Sequence, residues 1–235
     1  MKKKVSDRKM MYSLRSVNKT NDLLLHEIEY AWSHGVTSDT NSTLGLVYEF
    51  VKLHKPHKCV VIGSGSGLVP RVLREAQINS ECEHGKTHLI DFGATYGAIP
   101  EEIHNPQSIF RKMYPEISVF KGKSCPDGFE NWKQICGNES TSIDILWIDG
   151  DHSEKGSLLD FQTFAPLVSE NGLIFMHDTA PNGYGKHVPS WCGVHRTLDF
   201  IKKDLSYEVL NLVSTEKHCW GAGLAIIKRT IAAKL

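Results

Sequence analysis

Two apolar runs in this chain end in acidic and imidazole side chains, the groups that move protons and bind metal ions. The runs are residues 145–148 and 173–176. The side chains that follow them are Asp149, Asp151, His152, His177 and Asp178. Short apolar runs are typical of central strands in a parallel sheet, and ligands of such sheets bind beyond the carboxyl ends of the strands. We therefore expect these five side chains to converge on one cleft.

The loop after the first run carries the candidate catalytic residues. An imidazole with an ordinary pKa near 6.5 suits proton abstraction at neutral pH, so His152 is the candidate general base. Asp149 and Asp151 are the candidate acids beside it. A competing interpretation is that His152 only braces the helix that follows.

The elements that position these residues alternate along the chain. Apolar runs predict strands at residues 59–62, 88–91, 117–120, 143–148, 172–176, 207–213 and 223–227. Amphipathic spacing predicts helices at 21–31, 43–53, 157–168 and 194–203, and another after residue 67. Strands joined by helical crossovers run parallel, whereas the last two strands follow each other directly and pair antiparallel. The pattern indicates an α/β fold: a mostly parallel sheet of about seven strands with one antiparallel strand near its edge and helices on both faces.

Length and charge limit the function classes. The 235 residues suffice for one globular unit, which we divide into an N-terminal helical extension (1–55) and an α/β domain (56–235). Lys plus Arg equals Asp plus Glu at 27 each, so nucleic acid is not favoured as a partner. No apolar run approaches membrane-spanning length, and the expectation is a cytoplasmic protein with no membrane partner. The N-terminal helices could pack on the sheet or on a second subunit, which leaves a homo-oligomer open.

A glycine loop lies between the first predicted strand and the helix after it. The loop residues are Gly63, Ser64, Gly65 and Gly67. Glycines at this place let the backbone pass close to a ligand and present a helix N-terminus to it. Asp91 ends the next strand, where an acid can accept hydrogen bonds from ribose hydroxyls. The competing interpretations are that the glycine loop is a tight turn that binds no ligand and that Asp91 is a surface acid.

The spacing of this loop resembles that of class I S-adenosylmethionine-dependent methyltransferases, which have a Rossmann-like fold. The sequence ILWIDGDHS from residue 145, with LLD from 158, APL from 165, NGLI from 171 and HDT from 177, is similar to the family called methyltransferase domain 24. The resemblance covers about residues 43–228. It implies that the glycine loop, Asp91, Ser124 and Asp149 contact S-adenosylmethionine. Two positions depart from the pattern, Val61 and Lys123, where an acid is common.

The resemblance also suggests an acceptor and a metal. Catechol and macrolide-sugar O-methyltransferases, which look like relatives, hold magnesium with acids at the ends of the same two strands. It implies Asp149 and Asp178 as Mg²⁺ ligands, with His177 as a third, and a small hydroxylated acceptor such as a sugar or a natural product. An arrangement without an ion remains open. So do two other functions, a nicotinamide-dependent oxidoreductase and a non-catalytic S-adenosylmethionine-binding module, although Leu68 stands where a dinucleotide fingerprint has Gly or Ala.

Overall fold

The computed structural model describes residues 43–63, 67–82, 84–92, 103–107, 109–126, 128–181, 192–213 and 223–230. The helices are α1 (Thr43–His54), α2 (Leu68–Asn79), α3 (Ile109–Met113), α4 (Gly128–Cys136), α5 (Glu154–Phe164) and α6 (Val194–Ile201). The strands are β1 (Lys58–Ile62), β2 (Lys86–Asp91), β3 (Ser118–Lys121), β4 (Ile143–Ile148), β5 (Val168–His177), β6 (Tyr207–Leu212) and β7 (Leu224–Arg229). The predicted helix over 21–31 lies outside the described residues.

The seven strands form one sheet in the order β3-β2-β1-β4-β5-β7-β6. Strands β1 to β5 pair in parallel, and β7 is antiparallel to both of its neighbours, β5 and β6. The prediction of a mostly parallel sheet with one antiparallel strand next to the edge is confirmed. Alternating strands and helices enforce this arrangement, because a parallel pair needs a crossover connection.

Helices cover both faces of the sheet and bury two apolar layers. The first layer packs α1, α2 and α3 against the sheet, and the second packs α4, α5 and α6 against its other side. Successive strand residues alternate between the layers, so Val61 lies in the first and Ile62 in the second. Helix α1 contributes four fully buried side chains to the first layer: Leu44, Val47, Tyr48 and Val51. The boundary drawn at residue 55 falls in the turn between α1 and β1.

The register aligns the carboxyl ends of the central strands. Ile62 at the end of β1 pairs with Ile90 on one side and Ile148 on the other. Ile148 in turn pairs with Met176 of β5. The residues that come next in each strand are Gly63, Asp91, Asp149 and His177. One edge of the sheet therefore carries the glycine loop and the acidic and imidazole groups that the sequence singled out.

Two elements begin three or four residues earlier than the sequence predicted. Helix α5 begins at Glu154 because Ser153 caps it, its hydroxyl accepting a hydrogen bond from the Gly156 amide at 3.0 Å. Strand β5 begins at Val168, directly after the 3-10 turn Ala165–Leu167, and residues 169–171 within it are polar. No helix among the described residues is both long and apolar enough to cross a bilayer.

Candidate functional site

The end of β1 lies against the end of β4 at Gly63. This residue has a φ of +79°, and a Cβ atom there would lie 2.1 Å from the carbonyl oxygen of Asp149. Only glycine fits, for both conformational and steric reasons. Gly67 caps the N-terminus of α2, whereas Ser64 and Gly65 lie outside the described residues.

Asp91 lies at the end of β2 and is mostly buried beside a histidine. His104 Nε2 is 3.1 Å from Asp91 Oδ1, within hydrogen-bonding distance, and both side chains are nearly buried. The sequence did not identify His104, because nothing in its local pattern links it to an acid 13 residues earlier. The contact holds the carboxylate that the sequence predicted to meet a ribose.

The ends of β4 and β5 bring two carboxylates and two imidazoles together. His152 Nε2 lies 3.2 Å from Asp149 Oδ1 and 3.3 Å from Asp178 Oδ2. His177 Nδ1 lies 3.2 Å from Asp149 Oδ1 and 3.5 Å from Asp178 Oδ1. The convergence expected from the two apolar runs is therefore found for four of the five side chains.

Asp151 lies apart from these four. It is exposed, and its Oδ1 accepts a hydrogen bond from the Ser153 amide at 2.9 Å. Its carboxyl group also covers Gly156 in the first turn of α5, where a Cβ atom would lie 2.2 Å from Asp151 Cγ. These contacts order the start of α5.

Asp178 has an uncommon backbone conformation, with a φ of +60°. Left-handed backbone is rare outside glycine, although Asp and Asn tolerate it best. Such residues cluster at functional sites, where the surrounding structure holds them. The side chain of Asp178 is almost fully buried beside His177, so the turn after β5 aims a carboxylate into the cluster.

The charges of the cluster stabilise each other against burial. Burial favours the neutral form of Asp149, but His177 and His152 outweigh it and lower the pKa of Asp149 below its ordinary value. Burial would lower the pKa of His177, but Asp149 and Asp178 raise it to about 9. The pKa of His152 is also raised, because Asp149 and Asp178 outweigh burial. The cluster is a network of paired opposite charges.

Three members of the cluster have the geometry of a cation-binding group. One donor atom each from Asp149, His152 and Asp178 lies within 4.8 Å of the other two. His152 is the imidazole of this group, while His177, the third ligand suggested by the resemblance, has its Nδ1 3.2 Å from Asp149 Oδ1. Two carboxylate oxygens suit Mg²⁺ or Mn²⁺, and an imidazole nitrogen adds a ligand that transition metals accept readily. The donor set fits a divalent cation.

Ser124 lies in the loop after β3 and is tied to α5. Its hydroxyl donates a hydrogen bond to Asp160 Oδ1 at 2.5 Å. The same loop is joined to Asp91, whose carbonyl oxygen accepts a hydrogen bond from the Gly122 amide at 3.0 Å. The sequence did not identify Asp160 as a partner, since an acid inside an amphipathic helix has no local feature that marks it as buried.

A family model described as a methyltransferase domain matches residues 60–179. This range extends from β1 through the turn after β5, so it includes the glycine loop, Asp91, Ser124 and the whole acid and imidazole cluster. No curated protein matches the chain in sequence.

Solved structures share the fold over nearly the whole chain. An O-methyltransferase from Bacillus cereus in complex with SAH (S-adenosylhomocysteine) is 14% identical, with a TM-score of 0.61 over 95% of this chain and 97% of that one. TomG, the Streptomyces achromogenes O-methyltransferase of tomaymycin synthesis in complex with SAM (S-adenosylmethionine), is 11% identical, with a TM-score of 0.61 over 98% and 99%. SAH-bound PaMTH1 from Podospora anserina is 14% identical, with a TM-score of 0.57 over 98% and 97%. At identities this low, the structural similarity shows a shared fold and nothing more.

Proposed function

The chain belongs to the methyltransferase-domain family, whose model spans more than half of its residues, and on that premise we propose that it transfers the methyl group of SAM to a hydroxyl oxygen of a small molecule. The observation that carries the proposal is the acid and imidazole cluster, which shares one sheet edge with Gly63 and Asp91. Family membership decides against the nicotinamide-dependent alternative.

The proposed SAM site runs along that edge. The amino acid end of SAM would approach the glycine loop, because glycine lets a backbone pass close to a ligand. Asp91 would accept hydrogen bonds from the ribose hydroxyls, with His104 fixing its carboxylate. Ser124 would contact the base, and Asp149 would border the sulfonium end. In support, Asp91 and the Ser124 loop are hydrogen-bonded through Gly122.

His152 is the proposed general base. Its side chain is 27% exposed, whereas that of His177 is 4% exposed, so only His152 is accessible to an acceptor. In the reaction an O–C bond would form as the C–S bond of SAM breaks, and the hydroxyl proton would pass to the His152 imidazole. Asp149 and Asp178, which raise the pKa of His152, would stabilise the imidazolium, and only the deprotonated fraction of His152 can accept the proton.

A divalent cation, Mg²⁺ in the first instance, is part of the proposal. Asp149 and Asp178 would hold it through their carboxylates, with the His152 imidazole beside them kept for the acceptor's proton. When bound, such an ion supplies electrostatic attraction for acceptor oxygens and lowers the pKa of a coordinated hydroxyl. Titration of the protein with Mn²⁺, followed by its paramagnetic resonance signal, would detect binding without any turnover. We expect Asp178→Asn to weaken it, and equal binding in both proteins would overturn the metal assignment.

The experiment that tests the function measures SAH formation from SAM with a panel of hydroxylated acceptors, sugars and phenolic natural products among them. A general base contributes about 10²- to 10⁴-fold, so His152→Ala is expected to lose at least about 10² in rate. Its affinity for SAH should stay within about three-fold, because His152 is proposed to contact the acceptor. His84→Ala, a change at an exposed turn, is the matched control.

Three outcomes decide between the interpretations. SAH formation that depends on both an acceptor and His152 supports the proposed reaction. SAH binding with no turnover on any acceptor favours the non-catalytic module. Turnover that is unchanged in His152→Ala contradicts the assignment of the base.

A further inference from the structure

Asp160 is a buried acid in the middle of α5, and only 1% of its surface is exposed. Its Oδ1 accepts the hydrogen bond from the Ser124 hydroxyl. Its Oδ2 is buried and has no hydrogen-bond partner in the described part of the chain. This oxygen lies beneath the loop after β4, 3.1 Å from the place that a Cβ atom on Gly150 would take. Burying a carboxylate oxygen without a hydrogen bond costs free energy, which calls for an explanation.

The loop after β3 is fastened to α5 at two successive turns. Ser124 contacts Asp160, and Cys125 Sγ lies 3.3 Å from the hydroxyl of Thr163. At its other end the loop is joined to the backbone of Asp91. The loop that carries Ser124 is therefore hydrogen-bonded to the strand end that carries the proposed ribose contact, and in the proposed SAM site a base attached to that ribose would lie beside Ser124.

The contact with Asp160 decides how the Ser124 hydroxyl can act. A hydroxyl group has one proton to donate and two lone pairs that accept. Because the carboxylate of Asp160 can only accept, the proton of Ser124 must point towards it. The Ser124 oxygen then has only lone pairs to offer to any other partner.

We propose that Asp160 is a positioning residue that makes Ser124 an obligatory hydrogen-bond acceptor and thereby selects a ligand base that carries an amino group. The inference rests on the proposed SAM site. Adenine has one hydrogen-bond donor on its exposed edge, the exocyclic 6-amino group, which matches a lone pair on Ser124 Oγ. A 6-oxo base would place a second acceptor there, and the two oxygens would repel each other.

The electrostatics of Asp160 agree with a functional role. Burial raises its pKa to about 6, and the nearby charge of Asp151 acts in the same direction, while hydrogen bonds from Ser124 and Cys125 oppose both. At neutral pH the group remains mostly ionised. A buried anion kept against an unfavourable environment is characteristic of functional sites.

The test compares two ligands, SAH and S-inosylhomocysteine, in which the 6-amino group and the unprotonated N1 of adenine are replaced by a 6-oxo group and a protonated N1. Calorimetric titration of the wild-type protein should show a preference for SAH of about ten-fold, the size expected when one polar contact is made or opposed. Asp160→Asn should reduce the preference below about three-fold. Its amide nitrogen can donate to Ser124 Oγ, which frees the serine proton to turn towards a 6-oxo group. The amide oxygen then takes the place of the partnerless Oδ2.

Two further variants distinguish loss of the Ser124 contact from a general disturbance of α5. Ser124→Ala removes the acceptor and should reduce the preference to the same extent, and the double variant should show no additional loss. Ser157→Ala is the matched control. Its hydroxyl is buried on the same helix but contacts Thr197 at 2.8 Å, so the wild-type preference should persist.

The outcomes separate this inference from the proposed function. No binding of SAH to the wild-type protein would contradict the SAM site itself. Tight binding of SAH with the same preference in the wild type, Asp160→Asn and Ser124→Ala would leave the SAM site standing and overturn the role of Asp160. Loss of the preference in Ser157→Ala as well would also overturn it, since the effect would then come from general loosening of α5.

Discussion

Two histidines share one pair of carboxylates, but their surroundings give them different tasks. His177 is buried and stacks on Trp147, with ring centroids 5.8 Å apart and planes 27° apart. It is the inner counter-ion of Asp149 and Asp178, whereas His152 is the outer one. Removing one member of a buried ion pair leaves an uncompensated charge and typically costs about 3–5 kcal/mol.

Substituting His177 should therefore reduce stability more than substituting His152. We expect His177→Ala to lower the free energy of unfolding by about 3 kcal/mol and His152→Ala by less than about 1 kcal/mol. Urea denaturation of the two variants beside the wild type gives the comparison. Equal losses in both would show that the two imidazoles are equivalent partners of the acids.

His104 provides a second residue-scale prediction. His104→Ala should weaken SAH binding about three- to ten-fold, because an unsupported Asp91 carboxylate must be ordered when the ligand binds. Calorimetric titration measures the change, and His84→Ala is a control at an exposed position. In an Asp91→Asn background the same substitution should have no further effect. An additive loss in the double variant would place the contribution of His104 elsewhere.

At the scale of elements, the contact between the ends of β1 and β4 depends on one glycine. Gly63→Ala should lower the free energy of unfolding by about 3 kcal/mol or more, because it adds backbone strain to a clash with the Asp149 backbone. Gly137→Ala is the matched control. It also has a positive φ, +56°, but nothing lies within 4 Å of its added Cβ, so we expect a loss of about 1 kcal/mol. Similar losses in denaturant titrations would refute the steric argument.

The elements themselves were largely predictable from the sequence. Strand β4 was predicted with its bounds unchanged, because buried apolar runs identify strands in a parallel sheet. The start of β5 was missed because residues 169–171 are polar and separate Val168 from the apolar run that follows. Helix α5 was predicted to begin three residues late, since its first turn is set by the Ser153 cap and not by apolar spacing.

The sequence predicted the site residues that lie at the end of a strand or in the loop directly after it. Asp149, His177 and Asp178 were placed correctly at one edge, because register brings the ends of parallel strands together. His104 and Asp160 were not identified. The role of each depends on a hydrogen-bond partner on another element, and packing, not the local sequence pattern, brings such partners together.

At the scale of the whole molecule, stability should respond to acid through His88. This residue of β2 is buried against the edge of Trp132, 5.2 Å between ring centroids. Burial, with help from Lys58 and Lys86, lowers its pKa from 6.5 to about 4. As the pH falls below 6.5, the unfolded chain takes up a proton that the folded protein refuses until about pH 4. The destabilisation due to His88 is therefore absent above pH 6.5 and grows to its full size between pH 6.5 and 4.

His88→Phe should remove this loss while keeping the ring against Trp132. The stability of the variant relative to the wild type should rise by up to roughly 3 kcal/mol between pH 7 and pH 4. Urea denaturation at four pH values across that range measures the difference. Parallel curves for the two proteins would mean that His88 takes up its proton as easily in the folded state as in the unfolded one.

The central claim is that one edge of this sheet binds SAM through Asp91, and calorimetric titration with SAH tests it most directly. The wild-type protein should bind SAH with micromolar affinity, and Asp91→Ala should weaken that binding by at least about ten-fold, because the ribose hydroxyls lose a charged acceptor. Absence of binding to the wild type, or equal binding by the two proteins, would contradict the account.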